Sequence, residues 1–161
     1  MAQDIFIKID GIDGESLDAV HKDEIQVLEW NWDVRQPSNM HSGSGGGSGR
    51  ATVADFVFQH YTDKASPNLV SYCLTGKHIK NIVFTVRKAG GNPLEYLILK
   101  FSDVIITSVA MGGSHQDETR PREEVRFSFT KVTEDYVTQN AEGHKSGVIS
   151  ASYDVKANQH A

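Results

Sequence analysis

Residues 28–34 read Leu28-Glu29-Trp30-Asn31-Trp32-Asp33-Val34, alternating apolar and polar without a break. Successive side chains of an extended strand point to opposite faces, so this stretch has one dry face and one wet face. The dry face carries Trp30 and Trp32, which at two-residue spacing on a strand read as core. The wet face carries Glu29, Asn31 and Asp33. What a chain without visible catalytic residues does with such a face is the functional question.

The same period recurs on both sides. Ile5, Ile7 and Ile9 line one face of a first strand, and Phe56 and Phe58 mark another within 51–61. Val57, between them, reads as a buried strand position. Ile82, Phe84 and Val86 follow, ended by Ala89-Gly90-Gly91-Asn92-Pro93, and 94–109 is long and broadly apolar. Val125, Phe127 and Phe129 continue until the pattern changes phase at Lys131-Val132, which predicts a β-bulge. Ile149, Ala151, Tyr153 and Val155 form the last strand. About seven strands of this kind predict a mainly β protein with a barrel- or sandwich-like protomer.

One short α-helix is expected at about 63–76. Thr62, Asp63 and Ser66 offer caps, Pro67 suits the first turn and Gly76 the stop. Leu69, Val70, Cys73 and Leu74 fall on one side, which must cover an open end or flank of the sheet. With 161 residues and 17.8 kDa, residues 1–161 are expected to form a single domain.

Composition narrows the function. Sixteen basic and 21 acidic residues leave a net charge of -5 with no Lys/Arg cluster, which argues against nucleic acid, whose phosphates demand a basic stripe. No apolar run approaches the roughly 20 residues of a membrane span. The start has neither a basic segment nor a long apolar one, so no secretory signal is expected. The lone Cys73 permits no internal disulfide and points to folding in a reducing cytoplasm.

Site chemistry is sparse. Residues 42–49 (SGSGGGSG) fit neither the phosphate-loop nor the dinucleotide spacing, and a mobile contact loop is the better reading. Seven histidines show no paired metal spacing, and residues 10–15 lack the ligand pattern of a calcium loop. No nucleophile elbow occurs, and Cys73 lies on the helix's apolar stripe, where a thiol is inert. No enzyme, metal or cofactor is therefore expected. A monomeric β-sandwich binding carbohydrate through Trp30 or Trp32 is the competing reading.

A set of ordered motifs adds to this. They are Met1-Ala2, Asp4, Phe6-Ile7-Lys8-Ile9, Gly14-Glu15-Ser16, and His21, Glu24-Ile25, Val27-Leu28, Trp30 and Trp32. After them come Met40-His41 with its glycine run, Asp63-Lys64, Pro67-Asn68-Leu69 and Gly76-Lys77-His78. Arg87-Lys88-Ala89-Gly90-Gly91, Glu95-Tyr96-Leu97-Ile98, Gly112-Gly113-Ser114 and Asp135-Tyr136 complete the set. Together they span nearly the whole chain, which closely resembles the haemolysin-coregulated protein family, the tube component of bacterial type VI secretion systems. The resemblance implies a homo-hexameric ring with a wide hole, stacked into a tube expelled with a spike by a sheath. It implies small effectors carried in the lumen and export without a signal peptide. With the chain stopping at Ala161, no C-terminal toxic extension is expected.

On that footing Glu29, Asn31 and Asp33 are candidates for the lumen lining. Ser114 joins them by likeness to the family's lumen-facing loops. The charges at Glu29 and Asp33 depart from the family's smaller or more apolar residues there. Loops Asn39–Arg50 and Ala89–Asn92 are candidates for ring-to-ring contact, through Met40, His41, Gly45, Gly46, Gly90 and Gly91.

Overall fold

The computed structural model describes residues 2–38, 40–41, 49–116 and 120–160. Its strands are β1 (Gln3–Ile9), β2 (Ile25–Gln26), β3 (Glu29–Asn31), β4 (Val34–Arg35), β5 (Thr52–Val53), β6 (Phe56–Tyr61), β7 (Ile79–Lys88), β8 (Glu95–Gly112), β9 (Arg122–Gln139) and β10 (Lys145–Asp154). The helix α1 (Ser66–Thr75) stands between β6 and β7. The fold is mainly β, and every strand pairing is antiparallel.

β1, β7, β8, β9 and β6 pair in that order, and residues 25–31 shut the remaining gap. β2 pairs with β1 while β3 pairs with β6. Between them, Val27 N–H donates to Ile5 O (2.9 Å) and Leu28 N–H donates to Gln59 O (2.7 Å). The sheet thus closes into a barrel, which leaves no open edge at that seam. Phe56, Phe58, Phe84, Phe101 and Phe127 fill it, each fully buried. Their ring centroids lie 5.0–5.2 Å apart for the Phe56–Phe84, Phe56–Phe101, Phe56–Phe127 and Phe101–Phe127 pairs. Aromatic contacts of this kind contribute about 0.5–1.5 kcal/mol each beyond the area they bury.

β9 is paired with β8 along almost its whole length. Its other edge is shared: β6 takes Arg122–Phe127, and β10 takes Lys131–Gln139. The β8–β9–β10 part of the sheet therefore runs on past the barrel closure.

The expected bulge at Lys131-Val132 is absent. Phe101 pairs with Val132 and Val104 with Phe129 in one unbroken register, and all four are buried. Both strands change face together at Asp103 and Thr130, where Asp103 takes φ 52°. A bulge adds a residue to one strand, whereas here each strand spends the same number.

The helix begins at Ser66, three residues later than the expected limit. Residues 63–65 form a turn instead, in which Ala65 N–H donates to Asp63 Oδ1 (2.9 Å) and Asp63 N–H to Ser66 Oγ (3.1 Å). Gly76 ends the helix at φ 64°, a left-handed conformation open to glycine at little cost. The helix packs along β8 through Leu69, but Leu74 is 81% exposed and does not share the buried side.

Strand counting also shifts. The 28–34 stretch breaks into β3 and β4, and 51–61 into β5 and β6, while the two-residue β2 has no counterpart among the expected strands. Val57 is not a buried core position. Its neighbours Phe56 and Phe58 point into the core, and Val57 is half-buried on the outer face.

Candidate functional site

Strand register assembles the polar outer face. Glu29, Gln59, Glu124 and Ala110 stand in one row across β3, β6, β9 and β8, and Asn31, Val57, Arg126 and Ser108 in the next. Glu29, Asn31 and Asp33 line one shallow groove of about 370 Å³ with Asp55, Gln59 and Arg126. The face is laced sideways. Arg126 Nε donates to Glu124 Oε1 (3.1 Å), Arg35 Nε to Asp33 Oδ2 (3.0 Å) and Thr107 Oγ1 to Asp55 Oδ2 (2.7 Å). Glu29 and Asn31 are exposed and point their polar groups outward. Such a surface offers water and hydrogen-bonding groups to whatever passes over it.

The tryptophans of the same stretch face the other way. Trp30 lies 4.9 Å from Phe84, and Trp32 lies 6.0 Å from Phe129 with its Nε1–H donated to Ala54 O (3.0 Å). Each ring packs on the core by one part and is half-buried, Trp30 bordering the polar groove and Trp32 a second, apolar one.

The other expected residues sit apart from this groove. Ser114 is exposed in the loop after β8, its Oγ accepting from Gln116 N–H (3.3 Å), and it does not line the groove. Met40 and His41 occupy an exposed turn, Met40 at 78%. Gly45 and Gly46 lie outside the described residues. Gly90 and Gly91 form the exposed β7–β8 turn, and φ 129° at Gly90 is a conformation that favours glycine.

Three polar clusters escaped sequence reasoning, since in each at least one partner is far away in the chain. His21 Nδ1 faces Glu24 Oε2 (2.7 Å) and its Nε2 faces Glu95 Oε1 (2.5 Å). His60 lies between Glu123 and Asp63. Arg87 holds Asp18 and Asp4. Its hydrogen bonds keep the Asp18 carboxyl well below the ordinary carboxylate range, helped by the Val20 N–H. Burial pushes Asp63 upward.

A second surface is apolar. Past the barrel closure, Leu97, Tyr136 and Ile149 form one cross-strand row, with Tyr136 48% and Ile149 68% exposed. Beside it Trp32, Val34, Val53, Val132, Ala151 and Tyr153 line a groove of about 280 Å³. Among the described residues, no group of three or more His, Cys, Asp or Glu side chains is placed to hold a metal ion. No helix among them is long and apolar enough to cross a membrane.

A barrel with a wettable outer groove and an uncovered apolar sheet extension is a protein of contacts, and comparison with known proteins says which kind. Residues 6–136 match the family described as "Type VI secretion system effector, Hcp". The chain belongs to this haemolysin-coregulated protein family of the type VI secretion system. It is 44% identical over 148 residues to protein hcp1 of Pseudomonas aeruginosa, covering 91% of each chain. It is similar in structure to a type VI secretion system effector from Yersinia pestis, with TM-score 0.78 and 63% identity over 94% of this chain and 99% of the other. Hcp1 from Salmonella typhimurium aligns over 100% of both chains, with TM-score 0.81 and 48% identity.

Proposed function

We propose that this chain closes into a homo-hexameric ring, that rings stack into the tube of a type VI secretion system, and that small effector proteins ride in its lumen. The observation that carries this reading is the apolar extension of the β8–β9–β10 sheet. A monomer exposing the Leu97–Tyr136–Ile149 row and the groove beside it leaves dry surface in water, and a second subunit is the natural cover. Apart from the Asp154–Gln159 bridge at its end, the edge of β10 away from β9 pairs with no strand of the described sheet, a place where another chain can approach.

The polar groove of Glu29, Asn31 and Asp33 then lines the lumen, and Ser114, on the separate β8–β9 loop, faces the same lumen. Met40 and His41 of the Asn39–Arg50 loop, with Gly90 and Gly91, supply small contacts between rings. Contacts of that kind are weak in dilute solution, so tubes form at high concentration or within the spike-and-sheath apparatus. The role is structural and non-enzymatic, and the folded protein leaves the cytoplasm through the machine itself. The competing carbohydrate-binding module is less well supported, because Trp30 and Trp32 each spend much of their ring surface against core phenylalanines.

Sedimentation velocity at micromolar concentration tests the ring. A particle of six times 17.8 kDa supports it, and a single-copy species of 17.8 kDa sinks it.

A further inference from the structure

Residues 16–24 make a knob whose base is fastened as firmly as its tip is bare. Leu17 is 91% and Val20 71% exposed. Beneath them, Asp18 Oδ1 accepts from the N–H groups of Val20 (3.0 Å) and His21 (3.1 Å), and Ser16 Oγ accepts from Asp18 N–H (3.2 Å). Arg87 grips Asp18 with both terminal nitrogens, at 2.6 and 3.1 Å, a fork that fixes orientation as well as position. The His21 ring stacks on Phe6 at 4.4 Å, and Ser16 and Glu24 close the loop through a 3.0 Å backbone bond. An apolar tip on so rigid a base is built to be presented, because a floppy loop would fold its Leu and Val away.

We infer that this Leu17/Val20 knob seats in the apolar groove of the adjoining copy of the chain, the groove lined by Trp32, Val34, Val53, Val132, Ala151 and Tyr153; the inference rests on the ring reading above. Placement supports it. The knob packs against Phe6 of β1 and Arg87 of β7, whereas the groove lies between β9–β10, at the other margin of the same sheet, and the small β4–β5 sheet. Register also puts them on opposite faces: Phe6 pairs with Thr85, while Val132 pairs with Phe101 of the core. A male element at one margin and a female element at the other make a head-to-tail contact, the kind that closes rings.

Charge agrees with shape. Lys22 is exposed at the foot of the knob and Glu134 is exposed in the groove. Neither makes an ion pair among the described residues, and seating the knob brings the two signs together.

Sedimentation velocity on the full chain reads the contact directly. The wild type gives the ring mass, whereas Leu17→Glu and Ala151→Glu, both at exposed positions, each sediment as one copy with an unchanged far-ultraviolet circular dichroism spectrum. Mixed in equal amounts, the two variants form a two-copy particle and no ring. The intact knob of one meets the intact groove of the other, and every other junction is spoiled. A full ring from either variant, or a mixture that stays single-copy, overturns the contact while leaving the ring reading standing. A wild type that is itself single-copy overturns the ring reading, and this contact with it. A second arm avoids the apolar residues. Lys22→Glu and Glu134→Lys each weaken the ring and together restore it, and a double variant no better than the singles counts against the pairing.

Discussion

His60 Nε2 lies 2.8 Å from Glu123 Oε1 in the interior, with neither residue more than 1% exposed. The other ends of the pair, His60 Nδ1 and Glu123 Oε2, make no hydrogen bond, and Asp63 Oδ2 stands 3.9 Å from the imidazole. The pair joins the end of β6 to the start of β9, just before the chain turns into α1. Removing one member of such a pair strands the other without solvent or partner. Glu123→Ala is therefore expected to destabilise the subunit by about 3–5 kcal/mol in denaturant titration. The joint replacement of His60 and Glu123 by leucine should cost much less. A single loss below about 1 kcal/mol would show that the pair is dispensable.

Asp63 gives a pH dependence of known sign. Burial raises its carboxyl above the ordinary 3.8, against opposing pulls from the Ala65 N–H and His60. The folded state then binds a proton more readily than the unfolded state, so this group's contribution to stability falls as pH climbs from 3.8 through the raised value. Asp63→Asn removes that titration and keeps an oxygen for Ala65 N–H. Between about pH 4 and about pH 7 the stability difference should move in favour of the variant. A flat difference, or one moving toward the wild type, refutes the assignment.

Gly14 is a residue whose side chain is excluded by backbone. A Cβ there would stand 2.6 Å from Glu24 O and 2.8 Å from Ile25 Cα, while Gly14 N–H already donates to Asp23 O (2.7 Å). Neither backbone atom can swing aside, so Gly14→Ala should lower stability by about 1–3 kcal/mol and loosen the base of the 16–24 knob. A melting temperature equal to the wild type's would show that the loop yields without cost.

The lumen assignment predicts a separation of assembly from carriage. Asn31→Trp adds bulk to the polar groove without touching the core, since Asn31 is exposed and its partner across the ladder is Val57. Rings should persist by sedimentation, while effector levels inside producing cells drop. Undiminished effector in cells making the variant removes Asn31 from the cargo surface.

Much of this architecture was legible residue by residue. Ile5 to Ile9, Phe56 with Phe58 and Ile82 to Val86 each announce a strand, because one face had to be dry. Gly76 announces a helix end. What stayed hidden was non-local. The closure at residues 25–31 uses β2, a strand of two residues too short to show a period, and the pairing of β3 with β6 that completes it is not written in the alternation of 28–34. The joint change of face at Asp103 and Thr130 imitates a bulge when only one strand is read. Glu95 is 74 positions from His21 and Glu123 is 63 from His60, so no spacing rule joins them. Of the wet-face residues, Glu29, Asn31 and Asp33 meet in one groove because a single alternating stretch carries all three. Ser114, from a different loop, does not join them.

The divided edge of β9 has a mechanical consequence. Barrel and outlying flap share one backbone ribbon, so neither can swing on a hinge against the other. A tug along β10 loads nine paired positions side by side, and they must give way together rather than unzip in turn. A subunit stitched in that manner resists being pulled out lengthwise along β10.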